Sequence, residues 1–167
     1  AADVAIDSGS GAGNIQFSST VDGAKDLTVD AGTGTTIFSG AVGNATAIGD
    51  GTGVALTITE GSTSFLSTLD TASGMLSNAD TLFTDDVSLA AGNTATSLNA
   101  NVTLDGMTLT SDAALTIGNA TGDQLVLSSD DVAISTSNDD LTINSKVDGA
   151  QDLSLTTGTG NIIFSST

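Results

Sequence analysis

One segment of the sequence occurs twice. VDGAKDLTVDAGTGTTIFS (residues 21–39) aligns without gaps to VDGAQDLSLTTGTGNIIFS (residues 147–165) at an offset of 126, and 12 of the 19 positions are identical. The match extends backward, because VAID (residues 4–7) resembles VAIS (residues 132–135). A long internal repeat predicts a repeat architecture. We therefore expect residues 1–128 to form one complete repeat unit and residues 129–167 to begin the next copy in a continuous stack.

A shorter period lies inside the long one. Phe17 and Phe38 occur in related contexts 21 residues apart, and Phe164 follows Phe38 by 126 residues. Since 126 is six times 21, the pattern predicts six coils of roughly 21 residues per unit. The spacing is less regular in the middle, where Phe65 and Phe83 follow Phe38 at intervals of 27 and 18 residues.

Short segments with a period of two predict β-strands. DLTVD (residues 26–30), ALTIT (55–59) and DLTIN (140–144) alternate apolar and small polar residues, so that one face can be buried while the other meets water. Gly, Asp and Asn clusters separate such segments at short intervals. The segment 71–83 is the one stretch for which the sequence permits a short helix.

Short strands at this spacing also fit a sandwich or a barrel. The 21-residue recurrence favours a right-handed parallel β-helix, or β-solenoid, an all-β fold in which equivalent strands of successive coils stack. At about 4.8 Å per coil, six coils would advance roughly 29 Å. No capping segment is apparent, so we expect an uncapped repeat segment. The side chains expected to point inward are Ile15, Phe17, Leu27, Val29, Leu56, Ile58, Leu125, Leu127, Leu141, Ile143, Leu153, Leu155, Ile162 and Phe164.

The composition excludes several classes of function. The chain has 20 acidic residues and two basic ones, and its net charge of −18 argues against binding to nucleic acid or to an anionic membrane. No apolar run approaches the length of a membrane span, so we expect no direct membrane insertion. With no His or Cys, a Ser–His or Cys–His nucleophile is impossible. Paired carboxylates can hydrolyse glycosides, but the turns are short and sugar-stacking Trp and Tyr are absent. We therefore expect no enzyme.

The segment GNIQFSSTVDGAKDLTVDAGTGTTIFSGAVG (residues 13–43), followed by ALTIT, resembles the glycine-rich strand repeats of filamentous-haemagglutinin-type adhesins and related giant bacterial surface proteins. The resemblance covers most of the chain and is strongest over residues 13–60 and 132–167. It implies a right-handed parallel β-helix, secretion to the cell surface, and a role as an adhesin, a stalk or an extracellular fibre. It supplies no catalytic residues.

Calcium is the one ligand that the residue types favour. Nineteen Asp residues, many of them at turns, offer the hard oxygen ligands that this ion prefers. The competing interpretation is that Asp favours turns and keeps a repetitive surface soluble, and we consider it the stronger of the two. No other cofactor is expected. The candidate calcium ligands are Asp22, Asp85, Asp86, Asp130, Asp131, Asp139, Asp140 and Asp148.

Together these observations predict a structural protein: a repeat segment of a secreted β-solenoid that forms an extracellular filament or the shaft of a cell-surface adhesin. The expected partners are copies of the same unit, joined in one chain or stacked head to tail. The alternatives are an adhesive module that recognises a host or neighbouring cell surface or a carbohydrate, and a calcium-binding surface-layer or matrix protein.

Overall fold

The computed structural model describes residues 2–90 and 94–165. These residues wind into a parallel β-solenoid of about eight turns, with three parallel sheets and no helix among them. The predicted all-β parallel solenoid with coils of about 21 residues is therefore confirmed.

Twenty strands follow one another along the described part of the chain. They are β1 (Val4–Asp7), β2 (Ile15–Phe17), β3 (Leu27–Asp30), β4 (Thr35–Phe38), β5 (Val54–Ile58), β6 (Ser62–Phe65), β7 (Leu69–Thr71), β8 (Gly74–Ser77), β9 (Asp80–Phe83), β10 (Val87–Leu89), β11 (Thr96–Leu98), β12 (Val102–Asp105), β13 (Thr108–Ser111), β14 (Leu115–Ile117), β15 (Gln124–Ser128), β16 (Val132–Thr136), β17 (Leu141–Ile143), β18 (Lys146–Asp148), β19 (Leu153–Thr156) and β20 (Ile162–Phe164).

Each coil contributes one strand to each sheet in turn. Sheet A has the order β1-β3-β5-β8-β11-β14-β17-β20, sheet B has β2-β4-β6-β9-β12-β15-β18, and sheet C has β7-β10-β13-β16-β19. In the first two coils, single bridges at Val21 and Val42 take the place of a sheet C strand. We number the coils 1 to 7, each beginning at its sheet A strand, and β20 begins coil 8.

Facing residues in adjacent coils are separated in the chain by intervals that vary from coil to coil. Among the described strands, the shortest interval is 18 residues, as between Leu69 and Val87, and the longest is 29 residues, between Leu27 and Leu56. The longest coil contains the turn at residues 43–53, and a second long turn lies at residues 118–123. The first turn returns to the ladder at Ile48, which bridges Thr71 in the next coil. Within the described ladders the register shifts once, between Val54 and Leu56 of β5, and the coil length varies through residues inserted in the turns.

One continuous core fills the solenoid, because every other residue of each strand points inward. Among the predicted inward residues, eight are buried and four are partly buried against the core. Ile162 and Phe164 also lie at inward positions of the register, yet they are 42% and 58% exposed. They face the buried Leu141 and Ile143, but β20 is the last strand described, so these side chains are covered on one side alone.

Four phenylalanine rings form a stack inside sheet B. The ring centroids of Phe17, Phe38, Phe65 and Phe83 are separated by 4.5, 4.8 and 5.1 Å in that order, with interplanar angles of 3°, 2° and 13°. Their spacing in the sequence is irregular, yet they occupy equivalent positions of four successive coils. The column therefore marks the true coil boundaries in the middle of the chain.

The helix that the sequence permitted at residues 71–83 does not form. The segment contains β8 and β9, and Met75, Ser77, Thr81 and Phe83 are buried at alternate positions of these strands. A period-two burial pattern with hydrogen-bonded strands in both neighbouring coils favours extended backbone over a helical turn.

The turn that follows β3 recurs after β19 with the same local geometry. Gly32 and Gly158 have φ angles of 54° and 58°, in the left-handed region that favours glycine. Two residues further on, the amides of Gly34 and Gly160 each donate to the carbonyl oxygen three residues earlier, at 2.9 Å in both copies. The two copies of the long repeat are therefore locally alike in structure as well as in sequence.

Buried hydroxyl groups hold the corner between sheet C and sheet A. In four coils a hydroxyl at the end of the sheet C strand donates to a backbone carbonyl two or three residues further on. The donors are Thr71, Ser111, Thr136 and Thr157. Since the carbonyls of a tight corner leave the ladder, these bonds satisfy acceptors that would otherwise be buried without a partner.

Candidate functional site: the acidic exterior and the end coils

Asp and Asn side chains on the exterior join successive coils. Their side-chain oxygens accept hydrogen bonds from backbone N–H groups that lie one coil further along the chain. We call these bonds the inter-coil caps. The pairs are Asn14–Thr35, Asp22–Ala45, Asp22–Thr46, Asp26–Asp50, Asp80–Asn101, Asp86–Thr108, Asn101–Gln124, Asp131–Asp152, Asn138–Thr159 and Asp140–Asn161.

Two of the caps have a second bond. Asp80 Oδ1 accepts from the backbone N–H and the Nδ2 of Asn101 at 3.2 and 3.0 Å. Asp140 Oδ1 accepts from the same two groups of Asn161 at 2.8 and 2.9 Å. The first pair lies at sheet B and the second at sheet A, so one pairing of residue types serves on two sides of the solenoid.

The carboxylates proposed as calcium ligands are dispersed along the coils. Within residues 2–90 and 94–165 there is no group of three Asp or Glu side chains that could hold a metal ion. Four of the eight candidates are inter-coil caps: Asp22, Asp86, Asp131 and Asp140. The caps give these side chains a structural role, and the calcium prediction stays untested.

Of the other four candidates, three lie at separate turns and Asp148 ends β18. Asp85 accepts a hydrogen bond from the amide of Asp86 at 2.8 Å. The Cβ of Asp130 packs against the Cα of Gly106 in the preceding coil. Asp139 provides the carbonyl oxygen to which the Thr136 hydroxyl donates. Asp148 forms an ion pair with Lys146.

Both lysines pair with aspartates of the chain itself. Lys25 Nζ lies 3.7 Å from Asp50, and Lys146 Nζ lies 2.6 Å from Asp148. Hydrogen bonds donated by Thr52, and then the charge of Lys25, hold the pKa of Asp50 below its usual value. For Asp148, the hydrogen bond and then the charge of Lys146 lower the pKa.

The charge along the axis is dense. Seven coils and one further strand at about 4.8 Å per coil make a length of roughly 35 Å, and the net charge of this length is −18. The solenoid therefore has about one net negative charge per 2 Å of axis, which is close to the density of double-stranded DNA at about 1.7 Å per charge. A rod of this charge density attracts a concentrated layer of counterions along its whole surface.

Large apolar side chains are exposed at the two ends of the solenoid. Val4 in the first coil is 47% exposed, and Ile162, Ile163 and Phe164 in β20 are 38–58% exposed. Leu66 is the other large apolar side chain found exposed among the described residues, and it lies on the lateral surface. Beside Val4, a cavity of about 140 Å³ opens between Ile6, Phe17 and Val21 into the core. The end strands β1 and β20 each pair with one neighbour.

Sequence reasoning missed the inter-coil caps. Their signal is present in the sequence, because Asp80 and Asn101, and Asp140 and Asn161, recur at the 21-residue spacing of the coil. An Asp or Asn at the start of a strand, with a polar residue one coil later, is the pattern that would identify them.

Comparison of the chain with models of known families, with characterised proteins and with solved structures found no match. The solenoid implied by the resemblance to filamentous-haemagglutinin-type repeats is present, but no comparison supports membership of that family specifically. Among the residues that the structure describes, no helix is long and apolar enough to span a membrane.

Proposed function

We propose that this protein is the repeating structural segment of an extracellular filament or of the shaft of a cell-surface adhesin. The proposal is supported most directly by exposed apolar side chains. Five large apolar side chains are exposed in the described part of the chain, and four of them lie in the first and last coils. Strands without a second partner and an open core at these coils are completed by further coils of the same kind, either in one longer chain or in a stacked copy.

The proposed mechanism is mechanical. Parallel backbone ladders run the length of the axis on three sides, and the apolar core is continuous inside them. Bending or stretching such a rod has to break ladder bonds, core contacts and inter-coil caps together. Length therefore grows by adding coils, while the resistance per coil stays the same.

The acidic exterior sets the distance between neighbouring filaments. At the charge density described above, parallel filaments repel one another at low ionic strength, and the repulsion weakens when salt shortens the screening length to about 8 Å at 0.15 M. Divalent cations would link filaments through the counterion layer. In that case calcium and magnesium should bundle filaments at similar concentrations, whereas discrete calcium sites would make calcium far more effective and would raise the melting temperature.

End-to-end stacking is tested by charging one end. The double variant I162D/F164D places two carboxylates where the next coil would pack, and L66D is the matched control on the lateral surface. We expect the unmodified chain and L66D to form filaments by electron microscopy and sedimentation, and I162D/F164D to remain monomeric. Monomeric unmodified protein at every concentration, or loss of assembly in L66D alone, would contradict end-to-end stacking of separate copies.

The mode of continuation and the location are tested on native material. Under denaturing conditions, a single band at the mass of this chain indicates stacked subunits, and a very large band indicates tandem units in one chain. Antibodies raised against the protein should label intact cells. Labelling confined to permeabilised cells would contradict surface exposure.

A further inference from the structure

The two copies of the long repeat lie on different sheets. In the first copy β3 belongs to sheet A and β4 to sheet B, whereas the matching strands of the second copy, β19 and β20, belong to sheet C and sheet A. The segment that precedes them behaves in the same way, because VAID forms β1 in sheet A and VAIS lies in β16 of sheet C. Each matched pair is displaced by one sheet in the same direction.

The displacement follows from the number of sides that the unit occupies. Each coil has three sides, one per sheet. The chain passes from the sheet A side of coil 2 at β3 to the sheet C side of coil 7 at β19, which is five coils and two further sides, or 17 sides. Six whole coils would have 18, so the six-coil unit expected from the sequence is one side too long.

Two long turns account for the missing side. Thr28 faces Thr57 in the next coil, and Thr116 faces Thr142. Both pairs are separated in the chain by more than the 21-residue period, since the turns at residues 43–53 and 118–123 use residues without adding a side. The residues of the unit therefore form 17 sides, whereas a uniform 21-residue coil would give 18.

The three sides are locally interchangeable. The turn at Gly32 lies between sheets A and B and the equivalent turn at Gly158 lies between sheets C and A, with φ angles that agree within a few degrees. The Asp–Asn cap is likewise built at sheet B and at sheet A. The local geometry of this turn and this cap therefore does not restrict the unit to one side of the solenoid.

We propose that successive copies of the 126-residue unit are rotated by one third of a turn about the solenoid axis, in addition to the small twist between stacked strands. Each copy would advance about 27 Å, and, apart from the twist, three copies would restore the orientation after about 82 Å, at about 4.8 Å per coil. The inference rests on the proposed function, since it describes how the unit meets its own next copy. Lateral features such as the turn at residues 43–53 would then face three directions in rotation, so that filaments contact neighbours in a network.

The displacement of the second copy by one sheet is tested within this chain by disulfide formation. The chain has no Cys, and facing outward residues of adjacent coils have Cα atoms within the range that a disulfide bridges. The structure predicts that T28C/T57C and T116C/T142C close on oxidation. A uniform 21-residue coil would instead place Thr116 beside Ser137, so T116C/S137C is the competing pair. The positive control is A133C/S154C, because these residues face each other at the 21-residue spacing.

Closure of T28C/T57C and T116C/T142C, with T116C/S137C open, supports the displacement. If the control closes while T116C/T142C stays open, the inference is overturned, whichever state T116C/S137C adopts.

Electron cryo-microscopy of native filaments in which 126-residue units follow one another in one chain then measures the rotation directly. A rotation of one third of a turn with a rise of about 27 Å per unit supports the inference, at about 4.8 Å per coil. Unrotated units with a rise of about 29 Å, which is six whole coils at that spacing, overturn it while the proposed filament stands. Closed T28C/T57C and T116C/T142C pairs without filaments would overturn the proposed function and leave the displacement between copies established.

Discussion

The interior of sheet B differs between the two halves of the solenoid. In coils 1 to 4 one inward column consists of stacked phenylalanine rings, whereas in coils 5 and 6 the same column holds Leu104 and Leu127, and Gly149 then packs against Leu127. The parallel ladder runs through both halves without a change of partner order. Backbone pairing therefore sets the fold, and the column accepts an aromatic ring, an aliphatic side chain or glycine.

The largest difference between the halves should appear when the column is emptied. Phe65 is buried and stacks on two other rings, so F65A should reduce the free energy of unfolding by about 3–5 kcal/mol from the lost burial and the cavity. Its two ring contacts add about 0.5–1.5 kcal/mol each. Urea unfolding at 25 °C measures the effect, with L104A as the matched variant in the other half. A larger loss for L104A would contradict the special contribution of the stack.

The reciprocal change introduces a phenylalanine ring into the half that has leucine in this column. L104F adds a fifth ring next to Phe83 and gains one stacking contact, but it also overpacks a filled position. We expect these effects to offset, so that stability changes by about 1 kcal/mol or less in the same assay. A loss as large as that of F65A would show that the column in coils 5 and 6 is shaped for leucine alone.

Two buried threonines distinguish the halves by their hydrogen bonds. Thr136 donates to the carbonyl oxygen of Asp139, whereas the hydroxyl of Thr63, beside the phenylalanine stack, has no partner among the described residues. The isosteric variant T136V should therefore lose about 1–3 kcal/mol. T63V removes a buried group without a bond, so it should be neutral or stabilising. Thermal unfolding compares the two, and an equal loss in both would contradict the bonding assigned to them.

The inter-coil caps should be equally strong in both halves, because they lie outside the core. D80A and D140A each remove two hydrogen bonds to an Asn of the next coil and should cost about 1 kcal/mol each. D80N and D140N keep an oxygen acceptor and should lose less. Chemical unfolding of the four variants tests this, and D140A unfolding like the unmodified protein would show that the caps do not stabilise the ladder.

The smallest effect should come from the pH dependence of Asp50 and Asp148, one in each half. The pKa of each is lowered in the folded protein relative to its ordinary value of 3.8. Their contribution to stability is therefore present above pH 3.8 and is lost as the pH falls through the lowered folded pKa. D50N and D148N should melt slightly below the unmodified protein at neutral pH and together with it in strong acid. A difference that grows at low pH would contradict this sign.

The sequence predicted the strands, the parallel stacking and most inward positions, because alternation and turn residues are local signals. It did not predict where each coil begins in the middle of the chain, or on which sheet each copy of the repeat lies. Phe38, Phe65 and Phe83 look irregular in the chain because the turns between them vary in length, yet their rings stack. The side taken by each copy depends on how many residues every turn absorbs. That total accumulates along the chain, and no local pattern around Leu27 or Leu153 records it.

The functional residues were harder to predict for the same reason. Asp140 and Asn161 are one coil apart, and their contact follows from the coil boundary and from no motif around either residue. The Asp-rich turns suggested calcium ligands, because a carboxylate at a turn has the same local sequence whether it binds a cation or an amide of the next coil. Here four of the eight candidates accept amides of the next coil, and the structure gives these residues that structural role.

We propose that this solenoid grows along its axis by adding coils of its own kind. The most direct measurement is electron cryo-microscopy of the assembled protein at physiological ionic strength. We expect unbranched filaments one solenoid wide, with strands perpendicular to the axis, a coil spacing of about 4.8 Å and continuous ladders across each junction between units. Native material that consists of compact, non-polymeric particles, or assemblies joined through the lateral surface at Leu66, would contradict it.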